Sequence, residues 1–557
     1  MPSATLVSLS PSISSPVRRT SWRLFTALLL GIYCLRGVML SCVIPPLEMW
    51  DEYQHVAYID FLSQHRGLPI LFQTWAPTRL IKAAIRLPQS GLGYAQLRDA
   101  GAREYAYYWG NPHPIVFNAS APRITLYEAQ HPPVYYWLMA PIYRAAGGAA
   151  RLAVAVSLLR LVNVAISAVG LAAFLAWLGR ACRKSAHSML IGAAVALHPL
   201  FLLNACRVAN DSLAVTLGII VIVWLLSLDG RRLLWHSAAI GALLGFAIMT
   251  KATDMILLPF AAFALVPLCI SRKTTWPRAA AALVTLLAVT SLVTLPYFRF
   301  TYEHYKMLLP MGEALLNRTN HVPFQAYLDS IAPQKWPFWL GRLEAWFVYD
   351  GLWVGGWSLL YPPAIFPILY TVLVWAAIAA WPIRWLAARR SPVQTPTTSV
   401  IFKQPSTLPL TLAICVCMSV GLLDHGVVSA ITYGATSTGP WYAELAMPWF
   451  LALVLSAALT WRPTRLGYTL AMLIPILFVV TELNGLWTLM IPAYSHKSLS
   501  LSALHRLSSL HPRILGTPTL FVSTGLMLAL VMTAVVLCLR SLGEPPQQEI
   551  RSTSRTV

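Results

Sequence analysis

The residues best suited to chemistry follow the first long apolar run, in segment 45–55. Two adjacent carboxylates, Asp51 and Glu52, are followed closely by His55. If this segment is helical, Asp51 and His55 lie one turn apart on the same face. A carboxylate can act as a general base or bind a hard cation, and a histidine can ligate a metal or transfer protons. An isolated Asp-Glu pair is more often a solvated loop, so its importance depends on which other groups converge on it.

Further polar groups occur where other apolar runs begin or end. Glu128 and His131 precede one apolar segment, Arg207 and Asp211 separate two runs, and Lys251 separates two more. A His-Pro-Pro sequence often only breaks a helix, and a lysine at the end of a span is more often an anchor than a ligand. Taken together, these carboxylates and bases indicate one shared polar site.

The composition decides the class of protein. Of 557 residues, 57% are hydrophobic and 11% are charged, and the mean hydropathy is +0.62. A soluble domain of this size needs more charge on its surface, so the composition predicts a multi-pass membrane protein. The net charge of +21 comes from short basic clusters between apolar runs. That distribution is typical of cytoplasmic loops and argues against a nucleic-acid partner. The eight cysteines form no CxxC motif and predict no disulfide framework.

The apolar runs predict an all-α polytopic bundle of about twelve transmembrane helices, with thirteen as the alternative. The segment 134–144 decides between these counts, and the positions of the basic clusters favour a re-entrant or interfacial helix there, with both termini in the cytoplasm. Arg36 lies inside the first run and must reach the interface or face a polar interior. The predicted runs are residues 23–43, 152–179, 186–204, 211–228, 234–250, 254–270, 278–298, 361–385, 408–434, 442–461, 466–490 and 517–540.

One transmembrane domain is expected to occupy residues 1–557, without an internal repeat. Its parts are a cytoplasmic tail (1–22), a large first external loop with juxtamembrane helices (45–133), a second external loop (299–360), a cytoplasmic linker (387–407) and a cytoplasmic tail (541–557). In this topology most carboxylates lie on the external side, which predicts an external polar site. The tryptophans of the second loop form either an interface belt or a lipid or sugar groove.

The ordered motifs resemble the GT-C superfamily of integral-membrane glycosyltransferases, which includes protein O-mannosyltransferases and the aminoarabinose transferases of lipid A. The matching pieces are the Asp-Glu-x-x-His motif at Asp51, the 128–137 segment, the Asn210-Asp211 turn and the Thr250-Lys251 turn. In the second half, segment 439–442 resembles a Gly-Arg-Tyr stretch. Trp441 stands where the arginine is found, so a phosphate or acceptor contact of that arginine is not expected here.

The resemblance implies sugar transfer from a polyprenyl-phosphate-linked donor to an envelope lipid, glycan or protein on the external face. It implies Asp51 as the base or acceptor-orienting group, and Glu52 or Glu128 as ligands of a divalent metal ion or of the acceptor. Asp211 would support the same pocket. The residues implied to contact substrate are His55, His131, Arg207, Lys251 and Tyr442. The expected membrane is the bacterial cytoplasmic (inner) membrane, with the site facing the periplasm, and the partners are the lipid-linked donor and membrane lipids.

Two other classes of function stay open from the sequence. One is a secondary transporter or a flippase of a lipid-linked intermediate, although such proteins usually contain repeats and place charge near the membrane midplane. The other is a non-catalytic assembly subunit with a GT-C-like fold, which the Trp441 substitution would suit. The sequence does not define the sugar, the acceptor or protein partners.

Overall fold

A computed structural model describes residues 16–111, 116–390, 401–461 and 464–543. The ends of the two predicted cytoplasmic tails and the middle of the 387–407 linker lie outside these residues. Helices dominate, and the one sheet in the described part consists of two short parallel strands, β1 (Pro88–Gln89) and β2 (Arg103–Glu104). The prediction of an all-α multi-pass membrane protein is confirmed.

The helices of the first half of the chain include the first external loop. They are α1 (Pro16–Val43), α2 (Glu52–Leu62), α3 (Thr78–Ala84), α4 (Ala95–Asp99), α5 (Tyr105–Gly110), α6 (Val134–Ala145), α7 (Leu152–Ala181), α8 (Ser185–Leu197), α9 (Pro199–Cys206), α10 (Asp211–Leu226), α11 (Leu233–Ile248) and α12 (Leu257–Ile270).

The second half begins with a long helix and contains the second external loop. Its helices are α13 (Trp276–Tyr305), α14 (Gly312–Thr319), α15 (Phe324–Ser330), α16 (Trp336–Phe347), α17 (Ile365–Ile378), α18 (Ala380–Arg390), α19 (Thr407–Tyr433), α20 (Met447–Ala458), α21 (Thr464–Asn484), α22 (Ile491–Ser495), α23 (Leu501–Ser509) and α24 (Thr517–Gly543).

In the described part of the chain, eight helices are long and apolar enough to cross a membrane, and a ninth span results if the bent pair α8–α9 counts as one. Three shorter apolar helices, α10, α11 and α20, complete the set. At 1.5 Å per residue, a helix of 16 residues such as α10 is about 24 Å long, somewhat less than the ~30 Å of a bilayer core. Each of the twelve predicted runs overlaps one of these helices or the bent pair. The count of twelve spans stays a prediction.

Helix α6 covers the segment that decides between twelve and thirteen spans. Its 12 residues include Pro141 and extend about 18 Å, too short to cross a bilayer. Tyr135, Tyr136 and Tyr143 are fully buried, whereas Trp137 is 49% exposed. A short helix with one buried and one exposed apolar face suits an interfacial position, which favours the non-crossing interpretation.

Arg36 faces a polar interior, which is one of the two positions expected for it. Its guanidinium pairs with Glu482 on α21, and its Nη2 donates to the carbonyl of Leu197 at 3.0 Å. The Leu197 carbonyl is free to accept because the chain bends by 48° between α8 and α9. The N–H of Phe201, which would reach this carbonyl in a continuous helix, donates to His198 Nδ1 instead. One buried cation therefore satisfies both a carboxylate and the open end of α8.

Candidate functional site

The turn between α1 and α2 places Asp51 at the beginning of α2. Asp51 has a left-handed backbone conformation, with φ of 57°, and its side chain is 23% exposed. Its Oδ1 accepts hydrogen bonds from the hydroxyls of Tyr94, at 3.0 Å, and Tyr127. Burial and the Asp51 charge raise the pKa of both tyrosines well above the usual value, so the hydroxyls stay protonated and donate. Asp51 is thus an oriented carboxylate with one side open.

The neighbouring carboxylate, Glu52, faces away from Asp51 and into the protein. Its side chain is fully buried and forms a bidentate pair with Arg160 of α7, at 2.8 and 2.6 Å. The backbone N–H groups of Leu47 and Val208 donate to the same two oxygens at 2.9 and 3.1 Å. Arg160 also donates to the carbonyls of Ile44 and Pro45. This geometry favours a structural role for Glu52, which fixes the turn that carries Asp51, over the catalytic and metal-binding roles that the resemblance implies.

Replacing Glu52 is therefore expected to lower stability before it affects chemistry. Glu52→Ala leaves the buried Arg160 charge unpaired, and such a loss costs about 3–5 kcal/mol. We expect a markedly lower melting temperature for Glu52→Ala in thermal unfolding of the detergent-purified protein. Asp51→Asn is the matched control, and its melting temperature should equal that of the wild type. Glu52→Gln with wild-type melting and lost activity would contradict the structural role.

Two buried cations and one carboxylate lie next to Asp51. Arg207, at the end of α9, has its Nη1 at 3.9 Å from Asp51 Oδ2 and its Nη2 at 2.5 Å from Asp211 Oδ2. Lys251, just after α11, pairs with the other oxygen of Asp211. Arg207 and Lys251 are 2% and 6% exposed. Arg207, Asp211 and Lys251 therefore form a cluster with a net charge of about one positive unit, held at the ends of three helices.

Glu128 forms a second group with two histidines. Its Oε2 lies 2.9 Å from His131 Nε2, and its Oε1 lies 3.6 Å from His55 Nε2. His55 also contacts the Tyr136 hydroxyl at 2.8 Å, and the two imidazole rings stack with centroids 6.0 Å apart. Burial, with Arg207 and His131 nearby, holds the pKa of His55 well below its usual range, so the ring is neutral at pH 7.

Aromatic rings cover the cations from the other side. Lys251 Nζ lies 4.9 Å from the ring centroid of Tyr442, and the Arg207 guanidinium lies 5.0 Å from that of Trp50. Trp441 stacks on Trp50 at 4.9 Å and also contacts Trp353 at 5.2 Å. Trp441 therefore contributes an apolar wall rather than a charge.

The structure thus brings together most of the residues predicted from the sequence. Glu52 alone is turned away into a structural pair. The others line one ionic region, namely Asp51, His55, Glu128, His131, Arg207, Asp211, Lys251 and Tyr442.

Sequence reasoning missed Tyr94, Tyr127 and Glu444. Glu444 is buried beside this region, where its Oε2 accepts a hydrogen bond from the Asn204 amide and its Oε1 has no partner. A signal for Glu444 was present, because a carboxylate inside the apolar run 442–461 is costly to bury and rare. The two tyrosines gave no signal.

The residues do not fit the divalent metal ion that the resemblance allows. Both oxygens of Glu52 already accept hydrogen bonds from Arg160 and from backbone N–H groups, so Glu52 has no free oxygen for a metal ion. Among the described residues, no group of three or more His, Cys, Asp or Glu side chains could hold a metal ion. No step is therefore assigned to a metal ion below.

Glu48, which precedes the Asp51 turn, is a further buried acid. The Tyr105 hydroxyl and the Ser90 N–H donate to its Oε2 at 2.8 and 3.1 Å, while its Oε1 has no partner. Burial raises the pKa of Glu48 to about 7, although these hydrogen bonds oppose the rise. A carboxyl with a raised pKa stabilises the fold only while it is protonated.

Glu48→Gln is expected to remove a pH dependence of stability. Between the unfolded pKa of 4.5 and the folded value of about 7, the folded protein keeps a proton that the unfolded chain has lost. Stability therefore falls as the pH rises through this window, by about 3 kcal/mol at most. Melting temperatures at pH 5 and pH 8 should diverge less in the variant than in the wild type. Glu104→Gln, at an exposed position, is the control. Parallel curves of melting temperature against pH for Glu48→Gln and the wild type would contradict the prediction.

The fold and the site define a multi-pass α-helical membrane protein with an ionic site where several helices end on one side of the bundle. No protein-family model and no curated protein matches the sequence.

Solved structures do resemble this chain. ArnT from Cupriavidus metallidurans bound to undecaprenyl phosphate has 15% identity over 94% of this chain and 77% of that one, with a TM-score of 0.40. The apo oligosaccharyltransferase of Archaeoglobus fulgidus has 13% identity over 87% of this chain, with a TM-score of 0.40, and this chain covers 56% of its length. At such identities and TM-scores, the likeness carries no argument about what this chain binds or does.

Proposed function

We propose that the protein transfers a sugar from a polyprenyl-phosphate-linked donor to an acceptor of the cell envelope. The observation that carries this proposal is the placement of Asp51. This partly exposed carboxylate lies 3.9 Å from Arg207, and Arg207 belongs with Lys251 to a cluster of net positive charge. A base beside an anion site is what sugar transfer from a phosphate needs.

In the proposed reaction, the bond between the anomeric carbon and the phosphate oxygen breaks. An acceptor hydroxyl forms the new bond to that carbon through an oxocarbenium-like transition state. Asp51 takes the proton of the hydroxyl, and the polyprenyl phosphate leaves with the electron pair of the broken bond. Tyr94 and Tyr127 hold Asp51 in place through its Oδ1, which leaves Oδ2 for the acceptor.

Arg207 and Lys251 would bind the phosphate, and their charge would oppose the negative charge that grows as it leaves. Both cations are already paired with Asp211, which fixes their positions before the donor arrives. Such preorganisation is the main source of electrostatic catalysis in enzymes.

The position of the site suits a donor that stays in the membrane. Asp51 follows α1, Arg207 ends α9, Lys251 follows α11 and Tyr442 precedes α20, so all lie near ends of apolar helices. A lipid phosphate lies at that depth, at the border between hydrocarbon and water. We place this border on the external face, from the charge distribution of the loops.

Two experiments test the proposal. Cells that lack the gene should lose one envelope glycan or glycolipid, which the wild-type gene restores and the Asp51→Asn gene does not. Reporter fusions after Lys184 and Arg232 should read cytoplasmic, and a fusion after Gly110 should read external. An unchanged envelope would contradict the transfer reaction, and a cytoplasmic signal after Gly110 would contradict the orientation.

A further inference from the structure

A second cationic region lies apart from the candidate site. A cavity of about 510 Å³ is lined by Arg79, Lys82, Arg86 and Arg144, together with Ser63, Tyr143 and residues 147–150. We call it the basic cavity. It lies where α2 and α6 end and α7 begins. Helix α2 has 11 residues and extends about 16 Å, so the basic cavity lies at the opposite end of this helix from Asp51.

The charge of the basic cavity is largely uncompensated. Arg79 pairs with the buried Asp60 at 2.6 Å. Lys82, Arg86 and Arg144 form no ion pair within the described ranges of the chain. Lys82 instead lies over the ring of Phe117, 5.3 Å from its centroid. Three cations without carboxylates around one concave space create a strong site for an anion.

The basic cavity also lies at the edge of an apolar span. The candidate span that contains α7 begins at Gly148, and Gly148 lines the basic cavity. Helix α6 ends at this point with Arg144 in its last turn. On α6, Trp137 and Leu138 are 49% and 47% exposed. Exposed apolar residues on one side and cations on the other are typical of a surface that meets lipid head groups.

We propose that the basic cavity binds the head group of an anionic, phosphate-bearing lipid from the surrounding bilayer. Its volume falls in the range of small-ligand sites, about 300–1,000 Å³. Arginine binds phosphate oxygens in a bidentate manner, and lysine adds a point charge. The acyl chains of the lipid would lie along the exposed face of α6. This site is independent of the sugar-transfer reaction.

The probe is an equimolar mixture of dioleoyl phosphatidylglycerol and dioleoyl phosphatidylcholine. Native mass spectrometry of the full chain, purified in detergent, measures which lipid stays bound. The variant Lys82→Ala/Arg86→Ala/Arg144→Ala removes the three unpaired cations. The matched control, Arg299→Ala/Arg318→Ala/Lys335→Ala, removes the same charge from exposed residues outside the basic cavity.

The wild type and the control should retain phosphatidylglycerol preferentially. Since each cation near a membrane surface favours an anionic lipid by about fivefold, the cavity variant should lose this preference by on the order of 10²-fold. If the triple variant does not fold, the single variant Arg86→Gln should lose about fivefold. Asp51→Asn should bind lipid as the wild type does, which separates this result from the transfer reaction.

Three outcomes would overturn the proposal. One is a wild type without preference for phosphatidylglycerol. Another is an equal loss in the control, which would show that general surface charge decides binding. The third is complete displacement of the lipid by excess inorganic phosphate. That result would show that the acyl chains contribute nothing to binding and that the basic cavity is a site for soluble anions.

Discussion

Asp51→Asn is expected to lower sugar transfer by about 10²- to 10⁴-fold, the usual contribution of a general base. The substitution keeps the size of the side chain and can still accept hydrogen bonds from Tyr94 and Tyr127, but it removes the basicity that takes the acceptor proton. Because Asp51 is partly exposed, the amount of protein in the membrane should not change. The measurement is transfer by purified protein in nanodiscs, at saturating donor and acceptor.

Asp99→Asn is the matched control, since Asp99 is an exposed aspartate of the same external loop. It should leave the rate unchanged. Near-normal transfer by Asp51→Asn would remove this residue from the mechanism. If Glu128→Gln were equally silent, the enzymatic proposal itself would fail.

Lys251→Ala is expected to raise the donor concentration needed for half-maximal transfer by roughly tenfold and to slow transfer by about 10²-fold or more. A contact made before the reaction weakens donor binding, and a contact that strengthens as the phosphate leaves also lowers turnover. The acceptor requirement should change little. Lys251→Arg should restore only part of the activity, because the guanidinium is larger and planar and the space between Asp211 and Tyr442 is tight.

Arg207→Ala should also raise the donor requirement and slow transfer. It should in addition alter the electrostatic environment of Asp51, because Arg207 lies 3.9 Å from that carboxylate. Donor titrations compare these variants with Lys273→Ala, which removes an exposed lysine that follows another apolar helix. An unchanged donor curve for both Lys251→Ala and Arg207→Ala would make these residues interfacial anchors or structural cations instead.

The sequence by itself determined the class of protein and most of the candidate site. Hydropathy reports the free energy of each segment in lipid, which is a local property, so the apolar runs predicted the long helices. Ionic residues at the ends of apolar runs are costly unless they are paired or functional. For this reason the sequence alone was enough to predict a functional role for four residues, namely Asp51, Arg207, Asp211 and Lys251.

Only the tertiary structure decided what each of these groups faces. Asp51 and Glu52 are adjacent and chemically alike, yet the left-handed turn at Asp51 leaves one partly exposed and directs the other to Arg160, 108 positions along the chain. The pairing of Asp211 with two cations, the tyrosine hydroxyls on Asp51 and the contact of Glu444 with Asn204 likewise depend on contacts between distant segments. Such contacts follow from how the helices pack, and a pattern of residue types along the chain carries no information about them.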